Sequence, residues 1–98
     1  DNNIKTSWVW ADLGILNKDL GNYEQAKNLL KKSLTIHENI YEKSHIKTAR
    51  ILMNIGHVYL LERNKEVAKT FLQKALFIFQ EHGHPTLHEC VGYLRQCD

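Results

Sequence analysis

The sequence predicts an all-α fold of five helices arranged as antiparallel hairpins, and three observations carry that reading. Its 98 residues include one Pro and five Gly and are rich in Leu, Lys, Asn and Glu, a composition that favours long helices over turn-rich β structure. Apolar residues recur at spacings of three and four, the mark of helices with one buried face. The chain also matches itself at an offset of 42 residues. A period of that size means stacked supersecondary units, none able to bury its apolar face alone.

The offset pairs Gly14 with Gly56, Asn22 with Asn64, Ala26 with Ala68, Lys27 with Lys69, Leu30 with Leu72, Leu34 with Leu76 and Ile36 with Ile78. Apolar character persists between these identities, as in Val9 and Ile51, Trp10 and Leu52, Leu13 and Ile55, and Leu16 and Val58. The first helix is expected at about 4–20, stopped by Gly21, a residue suited to a helix C-terminus. The second, 22–42, opens on Asn22 as N-cap, with Gln25 placed to complete a capping box. The third, 46–62, sets Ile51, Leu52, Ile55, Val58 and Tyr59 on its apolar side. The fourth, 65–82, follows the break at Glu62-Arg63-Asn64, with Asn64 as its cap. The fifth, 85–97, has an apolar face of Leu87, Cys90, Val91 and Leu94. The expected organisation is one domain over 1–98: a repeat at 4–42, a repeat at 46–83, and a capping or truncated-repeat helix at 85–97. Ala26 and Ala68 should lie where the two helices of a hairpin cross closely.

A net charge of +2, with cations and anions interspersed, offers no basic stripe for a phosphate backbone and argues against nucleic acid. The apolar runs fall far short of the roughly 20 residues that span a bilayer, and no signal-peptide region opens the chain, so a cytoplasmic protein without a membrane partner is expected. Cys90 and Cys97 lie seven apart on one helix, about 10 Å along its axis and beyond the roughly 7 Å limit for a disulfide.

The first unit contains Trp10-x2-Leu13-Gly14 followed by Ala26, Leu30 and Ser33; the second contains Leu52-x2-Ile55-Gly56-x2-Tyr59 followed by Ala68, Leu72 and Ala75. This pattern resembles the tetratricopeptide repeat, whose small residues let paired helices approach while large ones fill the gap between them. The longer period, with His45-Ile46-Lys47-Thr48-Ala49 and His84-Pro85-Thr86-Leu87-His88 as junctions, is similar to the kinesin-light-chain type. The resemblance implies a right-handed solenoid and no catalysis. Asn17 departs from it by standing where the second unit has Tyr59, and the connection before His84 is three residues shorter than the one before His45.

Nucleotide-binding, serine-hydrolase and zinc-protease signatures are all missing, so no enzyme is expected. His82, His84, His88, Glu89 and Cys90 form the best metal candidate, but the junction, the helix end and the core already account for His84, His82 and Cys90, so neither a metal nor another cofactor is expected. Trp10 is assigned to the core.

In the family that the chain resembles, the first helix of each unit lines a concave surface that holds a partner segment. Carried across, this gives three rows: Trp8, Arg50 and Glu89; Asp12, Asn54 and Tyr93; Ile15, His57 and Gln96. Asn54 matches a position where the family often has an Asn that bonds a ligand's main chain. A carboxylate clamp is disfavoured because Ala11 and Ile15 replace its Lys and Asn. The expected peptide-binding set is therefore Trp8, Asp12, Ile15, Arg50, Met53, Asn54 and His57. Its mixture suits an amphipathic or aromatic-containing peptide of a protein partner. The alternative is a self-assembly unit, a homo-oligomer joined through Leu87, Val91 or Leu94.

Overall fold

The computed structural model describes residues 3–42 and 44–98. Asp1, Asn2 and Lys43, part of the expected single domain, lie outside the described residues. Among the described residues the chain forms α1 (Ile4–Asp19), α2 (Tyr23–Ile40), α3 (Ile46–Leu61), α4 (Lys65–Glu81) and α5 (Leu87–Gln96) and no strand. Every boundary falls within two residues of its expected place.

Local chemistry sets these limits. The Asn3 side chain accepts from the Thr6 N–H at 2.9 Å and starts α1. At its end, Gly21 N–H donates to the Lys18 carbonyl and Asn22 N–H to the Asn17 carbonyl, the paired bonds of a Schellman turn with Gly21 at φ +82°. Residues 59–64 repeat those bonds, from Arg63 to Leu60 and from Asn64 to Tyr59. There Arg63 takes the left-handed conformation, φ 66°, at the place Gly21 holds in the first turn.

Asn64 caps α4 as expected, accepting from the Val67 N–H at 3.4 Å. The capping box at Asn22 does not form. Asn22 makes no side-chain cap bond and donates instead to Asn17 Oδ1 at 3.3 Å; Asn17, which replaces the tyrosine of the second unit, competes for it.

α1 packs on α2 and α3 on α4, while α3 also lies on α2 and α5 on α4 and α3. Ala26 and Ala68 are fully buried. Beside them, a Cβ built on Gly14 would stand 2.7 Å from Leu30 Cγ, and one on Gly56 2.8 Å from Leu72 Cγ, so both hairpins close at the same point. One core cluster joins Ala26 and Leu30 to Ile51, Ile55 and Val58; the other gathers Leu52, Leu72, Phe79 and Cys90. Trp10 is half-buried, a correction to its core assignment: its ring lies 5.0 Å from the Lys32 ammonium and outside both clusters. Of Leu87, Val91 and Leu94, expected at a self-association face, all three are partly buried, and Leu87 and Leu94 pack against the second cluster.

The two junctions behave alike. His45 Nδ1 accepts from the Lys47 N–H at 3.1 Å and His84 Nδ1 from the Thr86 N–H at 3.2 Å, so each imidazole satisfies a free donor at the start of the next helix. This equivalence fixes the 39-residue offset that relates α5 to α3.

Candidate functional site

The 8–12–15 spacing on α1 and the 47–50–54 spacing on α3 turn two rows of side chains toward one groove of about 570 Å³. Trp8, Ala11, Asp12 and Ile15 form one wall, Lys47, Arg50 and Asn54 the other, and Thr86 with Glu89 the end nearest α5. Leu30, His37, Ile51 and Met53 line it from beneath, all nearly or fully buried. The expected row of Trp8, Arg50 and Glu89 is therefore brought together.

The Lys47 ammonium lies 4.8 Å from the Trp8 ring centroid and 5.8 Å from that of Tyr41, a cation–π bridge between α1 and the start of α3. Asn54 donates from Nδ2 to the Arg50 carbonyl at 2.9 Å and accepts at Oδ1 from Lys18 Nζ at 3.1 Å. Burial pushes the Lys18 ammonium below the usual lysine range, while Asp19 and Glu89 act in the opposite direction.

Two residues of the expected set differ from the rest, one deep in the floor of the groove and one outside it. Met53 belongs mainly to the core and shows the groove only an edge, because α4 and α5 close over its side. His57 does not line the groove: its ring stacks on Tyr93, with centroids 4.2 Å apart and planes 17° apart, and its buried Nδ1 has no hydrogen-bond partner among the described residues. The shortened connection brings Tyr93 over His57 rather than leaving it simply beside Asn54. Burial, then the neighbouring Lys18 charge, lowers the His57 pKa. Tyr93 donates to Glu89 at 3.1 Å, and burial with the Glu89 charge pushes its phenol up to about 12.

Beneath the groove lies a cluster that the sequence reading missed. Ser7 Oγ contacts His37 Nδ1 and stands 2.8 Å from Ser33 Oγ, and Ser33 donates to the Ser7 carbonyl at 2.8 Å. Ser7 and Ser33 are fully buried, so their hydroxyls tie α1 to α2 and offer no nucleophile to a substrate. Lys18 and Lys47 were also missed, although each extends a three-and-four row already drawn.

The histidine-rich segment does not converge. His82 Nε2 lies 2.9 Å from the Ser44 carbonyl, His84 Nδ1 accepts from the Thr86 N–H just before α5, and Cys90 donates to the Leu72 carbonyl at 3.2 Å. Among the described residues no three His, Cys, Asp or Glu side chains form a group that could hold a metal ion.

A family model described as tetratricopeptide repeat matches residues 5–81, which takes in both hairpins from Lys5 to the end of α4. The chain belongs to the tetratricopeptide repeat family. No curated protein matches it. Family membership makes it a protein–protein interaction scaffold in general terms. Within the tetratricopeptide hairpins, the groove is built from the first helix of each unit, and no described helix is long and apolar enough to cross a membrane.

Proposed function

We propose that this tetratricopeptide repeat protein is a cytoplasmic scaffold that holds an amphipathic or aromatic-containing segment of a partner protein in the α1–α3 groove. The observation that carries the reading is the exposed Trp8 indole beside charges of both signs, Asp12 and Glu89 against Lys47 and Arg50, over an apolar floor. Trp8 and Ile15 supply apolar contact, and Arg50 and Asp12 select opposite charges on the segment. Asn54 engages its main chain: Nδ2 has two hydrogens, and one is left after the bond to the Arg50 carbonyl. Met53 supports the floor, and His57 acts only by holding α5 against α3.

A peptide library selected on the chain tests this. Replacing Asn54 with Ala is expected to keep the helical signal and weaken the selected peptides by about 1 to 2 kcal/mol, the worth of one hydrogen bond. Calorimetry that finds full-strength binding to an Arg50→Ala, Asn54→Ala double variant overturns the groove reading.

A further inference from the structure

α5 is the shortest helix of the fold and the least able to hold its own shape. It has 10 residues, below the roughly 12 to 15 that keep a helix formed in water without packing. Gly92 stands in its middle with nothing within 4 Å of where a Cβ would be, so helix propensity is given up there with no close approach in return. Thr86, at its N-cap, makes no side-chain cap bond. Docking therefore keeps α5 helical. Leu87, Cys90, Leu94 and Cys97 join the second core cluster, and the Tyr93 ring lies on His57 of α3 with centroids 4.2 Å apart. The docked helix also brings Thr86 and Glu89 to the end of the groove.

His57 is the weak point of that docking. Its Nδ1 is buried with no hydrogen-bond partner among the described residues. Whichever nitrogen carries the proton of the neutral ring, the charged ring sets an N–H on Nδ1, where no acceptor stands to receive it. The charged and titratable groups around the ring are Lys18 and Asp19 of α1 and Glu89 and Tyr93 of α5. Burial opposes the charge most and Lys18, held at 3.1 Å to Asn54 Oδ1, adds to it; the two carboxylates do not make up the difference, so the docked ring takes a proton less readily than a free histidine.

We infer that α5 is a pH-sensitive gate at the end of the groove: a proton on His57 releases Tyr93, and α5 leaves α3 and α4 while both hairpins stay folded. Once Tyr93 is away, one face of the imidazole meets water and the charge is hydrated, so protons favour the open form. Docking is complete above the free-histidine value of about 6.5 and declines as pH falls below it. Opening unseals Cys90 and takes Glu89 from the groove, leaving Asp12 as the acid on its walls against Lys47 and Arg50. The opening itself does not depend on the groove reading; only its effect on a bound segment does.

Amide hydrogen exchange of the 98-residue chain between about pH 7.5 and pH 5.5, corrected for the intrinsic rate at each pH, tests it without any peptide. The α5 amides are expected to be less protected than those of α3 throughout, and their protection to fall by up to about tenfold per pH unit below about pH 6.5. His57→Phe, which keeps a ring for Tyr93 but cannot titrate, is expected to flatten that fall. Some slope remains in it, because His84 Nδ1 accepts from the Thr86 N–H at 3.2 Å and a charged ring loses that bond. His37→Phe is expected to leave the fall at α5 as it is, since His37 stays buried when α5 alone opens. If His57→Phe disturbs the fold, the neutral His57→Gln serves in its place. Protection of α5 that does not change with pH, that equals protection of α3, that falls as steeply in the His57 variant as in the parent, or that follows His37 instead overturns the inference.

Discussion

Ser7 Oγ lies 2.8 Å from Ser33 Oγ inside the first hairpin, with both side chains fully buried and His37 against them. The 42-residue repeat places Ala49, Ala75 and Phe79 at the corresponding positions, all three fully buried. One hairpin is thus closed by a hydrogen-bonded polar cluster where the other is closed by apolar packing. A satisfied buried network of this kind resists loss of any one member, because the groups left behind would be desolvated without partners.

This difference makes stability depend on pH. Burial, the largest influence, holds His37 below the usual histidine range, with nearby Lys47 acting in the same direction; His57 is lowered by burial and by Lys18. With a folded pKa below the unfolded value of about 6.5, the unfolded chain takes up protons first. Stability is complete above that value and declines as pH falls through it toward the folded pKa. The urea midpoint is expected to drop between about pH 7 and pH 5, and His37→Phe, which copies Phe79, to reduce the slope. Equal slopes for parent and variant would remove His37 from the account.

The helix crossings predict opposite responses at two glycines. A Cβ on Gly56 meets Leu72 Cγ at 2.8 Å and the Ala68 carbonyl at 3.2 Å, whereas one on Gly92 meets nothing within 4 Å. Alanine gains about 1 kcal/mol of helix propensity at either site, but at Gly56 overpacking costs about 1 to 3 kcal/mol. Thermal unfolding is expected to show Gly56→Ala destabilised and Gly92→Ala stabilised. If both variants shift in the same direction, the close crossing at Leu72 is wrong.

The hairpins, their limits and the Trp8–Arg50–Glu89 row were legible because each rests on spacing, and spacing follows from helical geometry alone. His57 was misplaced for a different reason. Its ring is held by Tyr93, and how α5 sets a side chain over α3 depends on the entry angle after the short connection, which no periodicity encodes. Met53 stood on the right face but at its inner edge, where depth depends on what α4 and α5 cover. The Ser7, Ser33 and His37 cluster did leave a trace, three polar residues aligned with Ala49, Ala75 and Phe79, but Ser33 was read only as a position of the repeat pattern and no motif singled out Ser7 or His37. The empty capping box shows the limit of local motifs: Asn22 has the right identity, and a neighbouring side chain, Asn17, draws it away.

Arg63 holds the left-handed conformation that Gly21 holds one repeat earlier, with the same pair of turn bonds around it. Left-handed backbone costs a residue with a Cβ about 1 to 2 kcal/mol, and glycine adopts it freely. Arg63→Gly is expected to raise stability by somewhat less than about 1 kcal/mol, since the unfolded chain also gains freedom. Gly21→Ala should show the reverse. A denaturation midpoint that falls in Arg63→Gly would mean that the arginine side chain makes a contact that outweighs the backbone effect.

The two thiols should separate cleanly in reactivity. Cys90 is fully buried, donates to the Leu72 carbonyl, and is pushed up to about 11 by burial and by the Glu89 charge. Cys97 is only partly buried; burial and then Asp98 raise its pKa, while Lys69 and Lys65 act against them. Because the thiolate is the reacting form, neither is fast near neutral pH, but Cys97 needs no opening of the fold. A thiol reagent is expected to modify Cys97 first and to reach Cys90 only through detachment of α5 from α4 or global unfolding, so that its rate tracks added denaturant. A Cys97→Ala chain that is still labelled rapidly without denaturant would show that Cys90 is accessible and that α5 does not seal the second core.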